Sequence, residues 1–136
     1  MTEPPAGLPP EARNISHRGF NLHNGPIYEL PPEGEVHRFA FVPQRKHLNG
    51  SGNIHGGMLM GFADVAMSRT ARAVSGSEKS ATVSLNCDFA GAGKDNEPIE
   101  ARARAVRKTR TLVFLSAEII QGGRVLAIAT GMWKIA

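Results

Sequence analysis

The chain has 136 residues, a length typical of one domain, and its 16 basic and 12 acidic residues give a formal net charge of +4. No apolar run approaches about 18 residues, so we expect no transmembrane helix, and the first residues show no signal-peptide pattern. The single cysteine, Cys87, excludes an internal disulfide framework and a cysteine-based metal cluster. We therefore expect a cytoplasmic protein that makes no membrane contact. A monomer this short has little room for an enclosed pocket.

The basic character of the chain points first to nucleic acid, since the sequence pI is about 9.7. Aromatic residues make up only 6% of the chain, however, and the positive charges are spread along its whole length. This pattern does not favour a nucleic-acid interface. A small ligand that carries several phosphate groups suits such a surface as well.

The first third of the chain mixes irregular segments with one strand. Residues 1–16 are rich in proline and predict a flexible tail, which leaves residues 17–136 as a single domain. Residues 17–34 combine apolar side chains with glycine and proline, and this composition indicates a short helix or a clamp on the domain edge. Apolar and polar residues alternate over 35–42, which predicts a strand, and residues 43–53 predict a polar loop.

A long helix and four strands are predicted in the remaining chain. From His55 the residues are apolar around the whole circumference of a helix, with Asn53 as a candidate cap and Gly76 at the expected C-terminal stop. The four strands are predicted over residues 81–89, 99–106, 111–120 and 125–135, with a hairpin turn at 121–124. A helix that is apolar all round needs cover on every side, so we expect an α+β fold in which a curved antiparallel sheet wraps a long central helix.

Asp64 is the first candidate for chemistry, because it lies in the most apolar part of the predicted helix. A buried carboxylate is costly unless it is paired or hydrogen-bonded. One interpretation is structural: the carboxylate forms an ion pair with an arginine or caps a neighbouring loop. The other is that Asp64 faces a pocket as a general base or nucleophile.

The start of the same helix is the second candidate, since it carries Gly56 and Gly57 directly after His55. The two glycines can simply permit a tight turn. Alternatively, the free N–H groups of the first helical turn form an anion site, where a carbonyl oxygen that gains negative charge is stabilised. His55 is then either a group that orients the ligand or a structural cap.

The spacing between the two candidates constrains how they can cooperate. Eight residues separate Gly56 from Asp64, which is about 12 Å along a helix that rises ~1.5 Å per residue. One carbonyl group cannot contact both residues of the same helix. If both act on one substrate, Asp64 must come from a second subunit whose helix runs antiparallel, which predicts a two-fold dimer with sites at its interface.

Other kinds of site find little support in the sequence. The histidines show no paired spacing for a metal, Ser51 and Ser84 lie in no nucleophile-elbow pattern, and there is no phosphate-binding loop of the P-loop or dinucleotide type. We therefore expect no metal site. A cluster of basic residues late in the chain is either a solvated strand face or a cationic rim for phosphate groups; its members are Arg102, Arg104, Arg107, Lys108 and Arg110.

The run of Asn49, His55-Gly56-Gly57 and Asp64 resembles the PaaI-like branch of the hotdog-fold acyl-CoA thioesterases. The resemblance continues through residues 82–86, 108–114 and 129–135, and it covers roughly residues 17–136. It implies the hotdog fold, a long helix wrapped by an antiparallel sheet. It also implies that the chain hydrolyses an acyl-CoA thioester as a homodimer, which commonly pairs again into a dimer of dimers.

The resemblance further implies a role for each matching residue. Asp64 would act as general base or nucleophile on the thioester, and the N–H of Gly56 would polarise its carbonyl group. Asn49 would place the attacking water or the thioester, His55 would orient the substrate, and Thr82 would assist the water. The remaining positions would bind substrate, Gly57 beside the carbonyl and a basic trio at the CoA phosphates: Arg107, Lys108 and Arg110. No cofactor is implied, since CoA is part of the substrate.

Two alternatives to hydrolysis stay open. One is a hotdog hydratase or dehydratase that acts on acyl-CoA or acyl-carrier protein, and the other is a non-catalytic module that binds acyl-CoA. The sequence does not define the acyl group, for which aromatic and medium-chain groups are candidates. Four large side chains can line either the acyl pocket or the core: Met58, Met60, Phe62 and Phe89.

Overall fold

A computed structural model describes residues 3–136, which fold around one long helix. The elements in chain order are β1 (Arg13–Asn14), α1 (Gly19–Asn24), β2 (Tyr28–Glu33), β3 (Val36–Phe41), α2 (Gly56–Ser75), β4 (Ala81–Phe89), β5 (Ile99–Lys108), β6 (Leu112–Gln121) and β7 (Arg124–Lys134). A 3-10 turn at Arg45–His47 lies between β3 and α2. No helix within residues 3–136 is both long and apolar enough to span a membrane.

The strands form one antiparallel sheet in the order β1-β2-β3-β5-β6-β7-β4. Five of these strands, β3 to β7, coincide with predicted ones. Strand β2 was not predicted, because Pro31 and Pro32 lie within it, and proline cannot donate to a sheet ladder. The sheet tolerates them because the β2–β3 register shifts between Leu30 and Glu33.

Residues 13–16 differ from the predicted flexible tail, of which residues 1–2 lie outside the described residues. Arg13 and Asn14 pair with Glu29 and Tyr28 as the edge strand β1. Ser16 is buried, and its hydroxyl accepts a hydrogen bond from the Ile27 N–H at 3.0 Å. These contacts attach the chain to the sheet before the predicted start of the domain.

The core lies between α2 and the sheet. Phe62, Ala63, Ala66 and Met67 of the helix are fully buried, and they belong to one cluster with Trp133 and the inward side chains of the sheet. Met58 and Phe62 are therefore core residues, although Met58 also reaches a surface hollow described below.

We expected the sheet to cover α2 on every side, but it leaves one face of the helix uncovered. One face, which we call the open stripe, is not buried and consists of Gly57, Gly61, Asp64, Ser68 and Arg72. Successive members are three or four residues apart, so they form one line along the helix. Three members of this stripe are polar and the two glycines contribute no side chain, so the face offers a core little to pack against.

The helix ends at the predicted C-terminal residue but is capped by a different residue at its start. Gly76 adopts a left-handed conformation with φ 73°, and its N–H donates to the Arg72 carbonyl. The N-cap is His55 rather than Asn53: its Nδ1 atom accepts a hydrogen bond from the Gly57 N–H at 2.8 Å. A histidine ring nitrogen thus does here what the side-chain oxygen of an asparagine does at many helix starts.

Candidate functional site

The start of α2 is one half of the candidate site. His55 occupies the Gly57 N–H, whereas the Gly56 N–H has no acceptor among the hydrogen bonds of the described residues. The Phe89 ring lies over this end of the helix, since a Cβ atom placed on Gly56 would be 3.4 Å from the ring. The Gly56 N–H is therefore a free donor beside an apolar ring, which suits a polarised carbonyl oxygen.

Asn49 supports this end through the loop before the helix. Its Oδ1 atom accepts hydrogen bonds from the backbone N–H groups of Ser51 and Asn53, at 2.9 and 3.1 Å. The Asn49 N–H donates to the Asn53 carbonyl at 2.7 Å, so the loop is closed on itself. In this state the side-chain oxygen organises the loop, and the side-chain amide group is the part that can contact a ligand.

Asp64 and Thr82 form the other half. The Thr82 hydroxyl on β4 donates to Asp64 Oδ1 on α2 at 2.6 Å, and this contact leaves the second carboxylate oxygen for other partners. Among the described residues no salt bridge reaches this carboxylate, so the arginine ion pair of the structural interpretation is not formed. A half-buried carboxylate with one hydroxyl donor is suited to hold a water molecule as a base.

The two halves do not meet within one chain. Strand β4 runs alongside α2 in the opposite direction, so its end at Phe89 lies at Gly56 and its start at Thr82 lies at Asp64. Gly56 and Asp64 remain about 12 Å apart along the helix axis at ~1.5 Å per residue. The structure thus assigns each half-site one helix residue and one β4 residue, at separate places on the same edge.

The basic residues gather at the Asp64 end of the sheet. The pairing of Lys108 with Val113, of Leu112 with Lys134, and of Ala81 with Lys134 places the end of β5 and the start of β4 at the same end of the sheet. We call this set the basic end; it consists of Lys79, Arg107, Lys108, Arg110 and Lys134. The predicted phosphate-binding trio therefore lies at the same end of the sheet as Thr82.

Three open hollows lie along the helix. The largest, about 720 Å³, is at its C-terminal end between Arg72, Lys79 and Lys134. A hollow of about 320 Å³ adjoins the helix start at His55 and Gly57, and one of about 160 Å³ adjoins Asp64. None is an enclosed acyl pocket, which agrees with the small size of a single chain.

Sequence reasoning missed the contribution of α1 and of His47. Phe20 and Asn24 of α1 line the hollow at the helix start, and Asn21 lines the hollow at Asp64. His47 is buried; its Nδ1 accepts from the Gln44 N–H at 2.9 Å, and its Nε2 donates to the Asn24 carbonyl at 2.6 Å. Burial lowers the pKa of His47, although the bond to Asn24 opposes this effect.

Other chemistry finds no support in the described residues. No cluster of three or more histidine, cysteine or acidic residues within residues 3–136 has the arrangement of a metal site. Cys87 packs against the core, and burial together with Asp88 raises the pKa of its thiol, which disfavours a thiolate nucleophile.

Comparison with known proteins identifies the family. The profile of the thioesterase superfamily matches residues 51–128, which is more than half of the chain and includes both half-sites. The chain belongs to the thioesterase superfamily. It is 31% identical over 91 residues to a protein of Pseudomonas aeruginosa named "Putative esterase PA0474". The alignment covers 66% of this chain and 68% of that relative.

Solved structures of other superfamily proteins share the fold. A mutant of the phenylacetic acid degradation protein PaaI from Thermus thermophilus has a TM-score of 0.73 at 23% identity, covering 81% of this chain and 93% of that one. Zebrafish thioesterase superfamily member 2 has a TM-score of 0.74 at 20% identity, with 88% of each chain covered. The predicted α+β hotdog fold and the predicted superfamily are thus both confirmed.

Proposed function

We propose that this thioesterase-superfamily protein hydrolyses the thioester of an acyl-CoA to a free acid and CoA. The observation that carries the proposal is the division of the site along α2. A free N–H at Gly56 and a carboxylate held by Thr82 at Asp64 are the two groups that thioester hydrolysis needs. They are separated so that each chain supplies one of them to each site.

In the proposed reaction Asp64 takes a proton from a water molecule while the water oxygen bonds to the thioester carbonyl carbon. The carbonyl electrons move onto oxygen, where the Gly56 N–H and the positive end of the α2 dipole stabilise the negative charge. The C–S bond then breaks, and the proton held by Asp64 passes to the departing CoA sulfur. Thr82 orients the carboxylate through its 2.6 Å hydrogen bond.

The dimer in this proposal forms along β4. This strand has nine residues, lies at the edge of the sheet and exposes Val83 and Phe89 by 56% and 52%. A long edge strand with apolar side chains favours pairing with another strand. A two-fold axis at Asn86 pairs this residue with its own copy, brings Thr82 of one chain near Phe89 of its partner, and joins each Asp64 to the partner's helix start.

The substrate's phosphates would bind at the basic end. Arg107, Lys108 and Arg110 lie, together with Lys79 and Lys134, at the same end of the sheet as Thr82, the hydrogen-bond partner of Asp64. Arginine can bind phosphate with two parallel hydrogen bonds, and the surrounding positive charge attracts an anionic nucleotide before contact. No cofactor takes part, and a dimer of dimers remains compatible with the proposal.

The test is release of free thiol from a panel of acyl-CoAs by the wild-type chain and by Asp64→Asn. We expect kcat to fall by about 10²–10⁴ in the variant, as is typical when a general base is removed. Asp95→Asn, which removes an exposed carboxylate in the turn between β4 and β5, is the matched control and is expected to keep the wild-type rate. An Asp64→Asn rate equal to wild type would contradict the role of Asp64.

The reaction class has its own test. No thiol release from any acyl-CoA would reject hydrolysis. Water addition to an enoyl-CoA would then favour a hydratase, and tight binding without turnover would favour a binding module. In a single turnover in ¹⁸O-labelled water, label found in the Asp64 carboxylate would assign it the nucleophilic role, since a general base never bonds to the water oxygen.

A further inference from the structure

The short helix α1 lies across the open stripe and inserts one aromatic ring into it. A Cβ atom placed on Gly61 would be only 2.7 Å from Cζ of Phe20 and 3.0 Å from its Cε1. Real Cβ atoms do not approach so closely, so the ring occupies a notch that exists because residue 61 is glycine. The rest of the ring faces outward, since Phe20 is 53% exposed.

Hydrogen bonds fix α1 in this position. The carbonyl of His23 accepts from Lys46 Nζ at 2.8 Å, and the carbonyl of Asn24 accepts from His47 Nε2 at 2.6 Å. The His47 carbonyl in turn accepts from the His55 N–H at 2.8 Å. Phe20 therefore belongs to a segment that is hydrogen-bonded, through His47, to the N-cap residue His55 of α2. These bonds fix the position of its ring beside the hollow at the helix start.

The notch lies between the two half-sites. Gly61 is five residues after Gly56 and three before Asp64, or about 7.5 and 4.5 Å along the axis at ~1.5 Å per residue. Phe20 lines the hollow of about 320 Å³ at His55 and Gly57. An apolar ring that is half exposed beside this hollow, about one and a half turns from the Gly56 N–H, is placed to contact the substrate and not only the core.

We propose that Phe20, seated on Gly61, determines specificity by setting the upper limit of acyl-chain length. This inference rests on the proposed thioesterase function. A linear chain that extends from a carbonyl at Gly56 along the open stripe meets the Phe20 ring after about one and a half helical turns, or about 7.5 Å. Short acyl groups end before the ring, whereas longer ones collide with it.

The experiment measures kcat/KM for linear acyl-CoAs from two to twelve carbons. Phe20→Ala removes six ring carbons and leaves space for roughly four methylene groups. We expect the longest chain that is hydrolysed efficiently to grow by about that number, while kcat/KM for short chains stays within a few-fold of wild type. Leu22→Ala, on the same helix but outside the hollow, is the matched control and keeps the wild-type profile.

A second variant tests the notch itself. Gly61→Ala must displace the Phe20 ring into the hollow, so it is expected to shorten the accepted chain. The double variant with Phe20→Ala, in which no ring remains to be displaced, is expected to recover the longer limit. If Phe20→Ala does not fold, Phe20→Leu gives the same test with a smaller shift.

The outcomes separate this inference from the proposed function. A wild-type chain that releases no thiol from any substrate contradicts the function. An active wild type whose chain-length profile is the same in Phe20→Ala and in Leu22→Ala contradicts the role of Phe20 and leaves the function standing.

Discussion

Complementation between two defective chains gives a direct test of a site shared between subunits. One chain carries Asp64→Asn and the other Gly56→Pro. Gly56 is the first residue of α2, where proline is readily accommodated because no intrahelical hydrogen bond is lost. The preceding His55 has φ −61° and ψ 133°, which is the extended conformation that a residue before proline prefers. Gly56→Pro therefore removes the proposed donor without disturbing the helix.

The expected rates follow from the two half-sites. Loss of one oxyanion donor lowers kcat by about 10²–10³, and loss of the base lowers it by about 10²–10⁴. In a mixed dimer one site combines the intact Asp64 of the Gly56→Pro chain with the intact Gly56 of its partner. The other site carries both defects. A purified mixed dimer should thus have about half of the wild-type activity per dimer, although both parents are nearly inactive.

The assay uses co-expression of the two chains with different affinity tags, purification through both tags, and thiol release from the best acyl-CoA. Gly56→Ala, which keeps the N–H, is the control and should retain activity as a homodimer. If the two-tag dimer forms and remains as inactive as its parents, the base and the donor of each site belong to the same chain, and the two-fold arrangement along β4 is wrong.

Three further predictions use other contacts. Thr82→Val removes a charge-assisted hydrogen bond worth about 1.5 kcal/mol, so kcat should fall about tenfold. Thr82→Ser keeps the hydroxyl and should stay near the wild-type kcat. An unchanged kcat in Thr82→Val would exclude the positioning of Asp64 by this hydroxyl. With the native Cys87 replaced by serine, Asn86→Cys should form a disulfide-linked dimer on mild oxidation, because the proposed axis brings the two copies of residue 86 together. If only monomer is found after oxidation, this register of the β4 strands is wrong. Since burial lowers the pKa of His47, the unfolded chain binds the proton more tightly; stability should therefore fall as pH drops below the ordinary histidine range towards the lowered pKa. Melting temperatures between pH 7 and pH 5 should decline less steeply for His47→Gln, and equal slopes would contradict the assignment.

Periodicity predicted the regular part of the fold because burial there follows the chain's own pattern. Strands β3 to β7 alternate or are apolar throughout, and α2 is long enough to need a sheet around it. Strands β1 and β2 could not be predicted in this way. The first has two residues, and the second contains Pro31 and Pro32. Only pairing with a neighbour makes them strands: β2 pairs with β3, and β1 pairs with β2.

The candidate reacting residues of the site could be predicted from the sequence more readily than the side chains that line the hollow. The spacing from Gly56 to Asp64 is a property of one helix and can be read directly. Phe20 lies 41 residues before Gly61, and no periodicity links a ring in an irregular segment to a glycine in a helix. The glycine itself looked like a neutral member of an apolar helix, although its missing side chain is what the ring requires.

The exposed edge and the open stripe have one physical origin, and together they favour a second copy of the chain. Strand β4 ends the sheet beside α2, so on this side there is no further strand to cover the helix or to use the outer N–H and C=O groups of β4. A partner strand would satisfy those groups and bring its own helix alongside the β4 edge of α2. The half-site at Gly56 and the half-site at Asp64 lie at opposite ends of that edge, which is the arrangement an antiparallel two-fold requires in order to complete both at once. A small chain can in this way form a substrate pocket that neither copy has room to enclose alone.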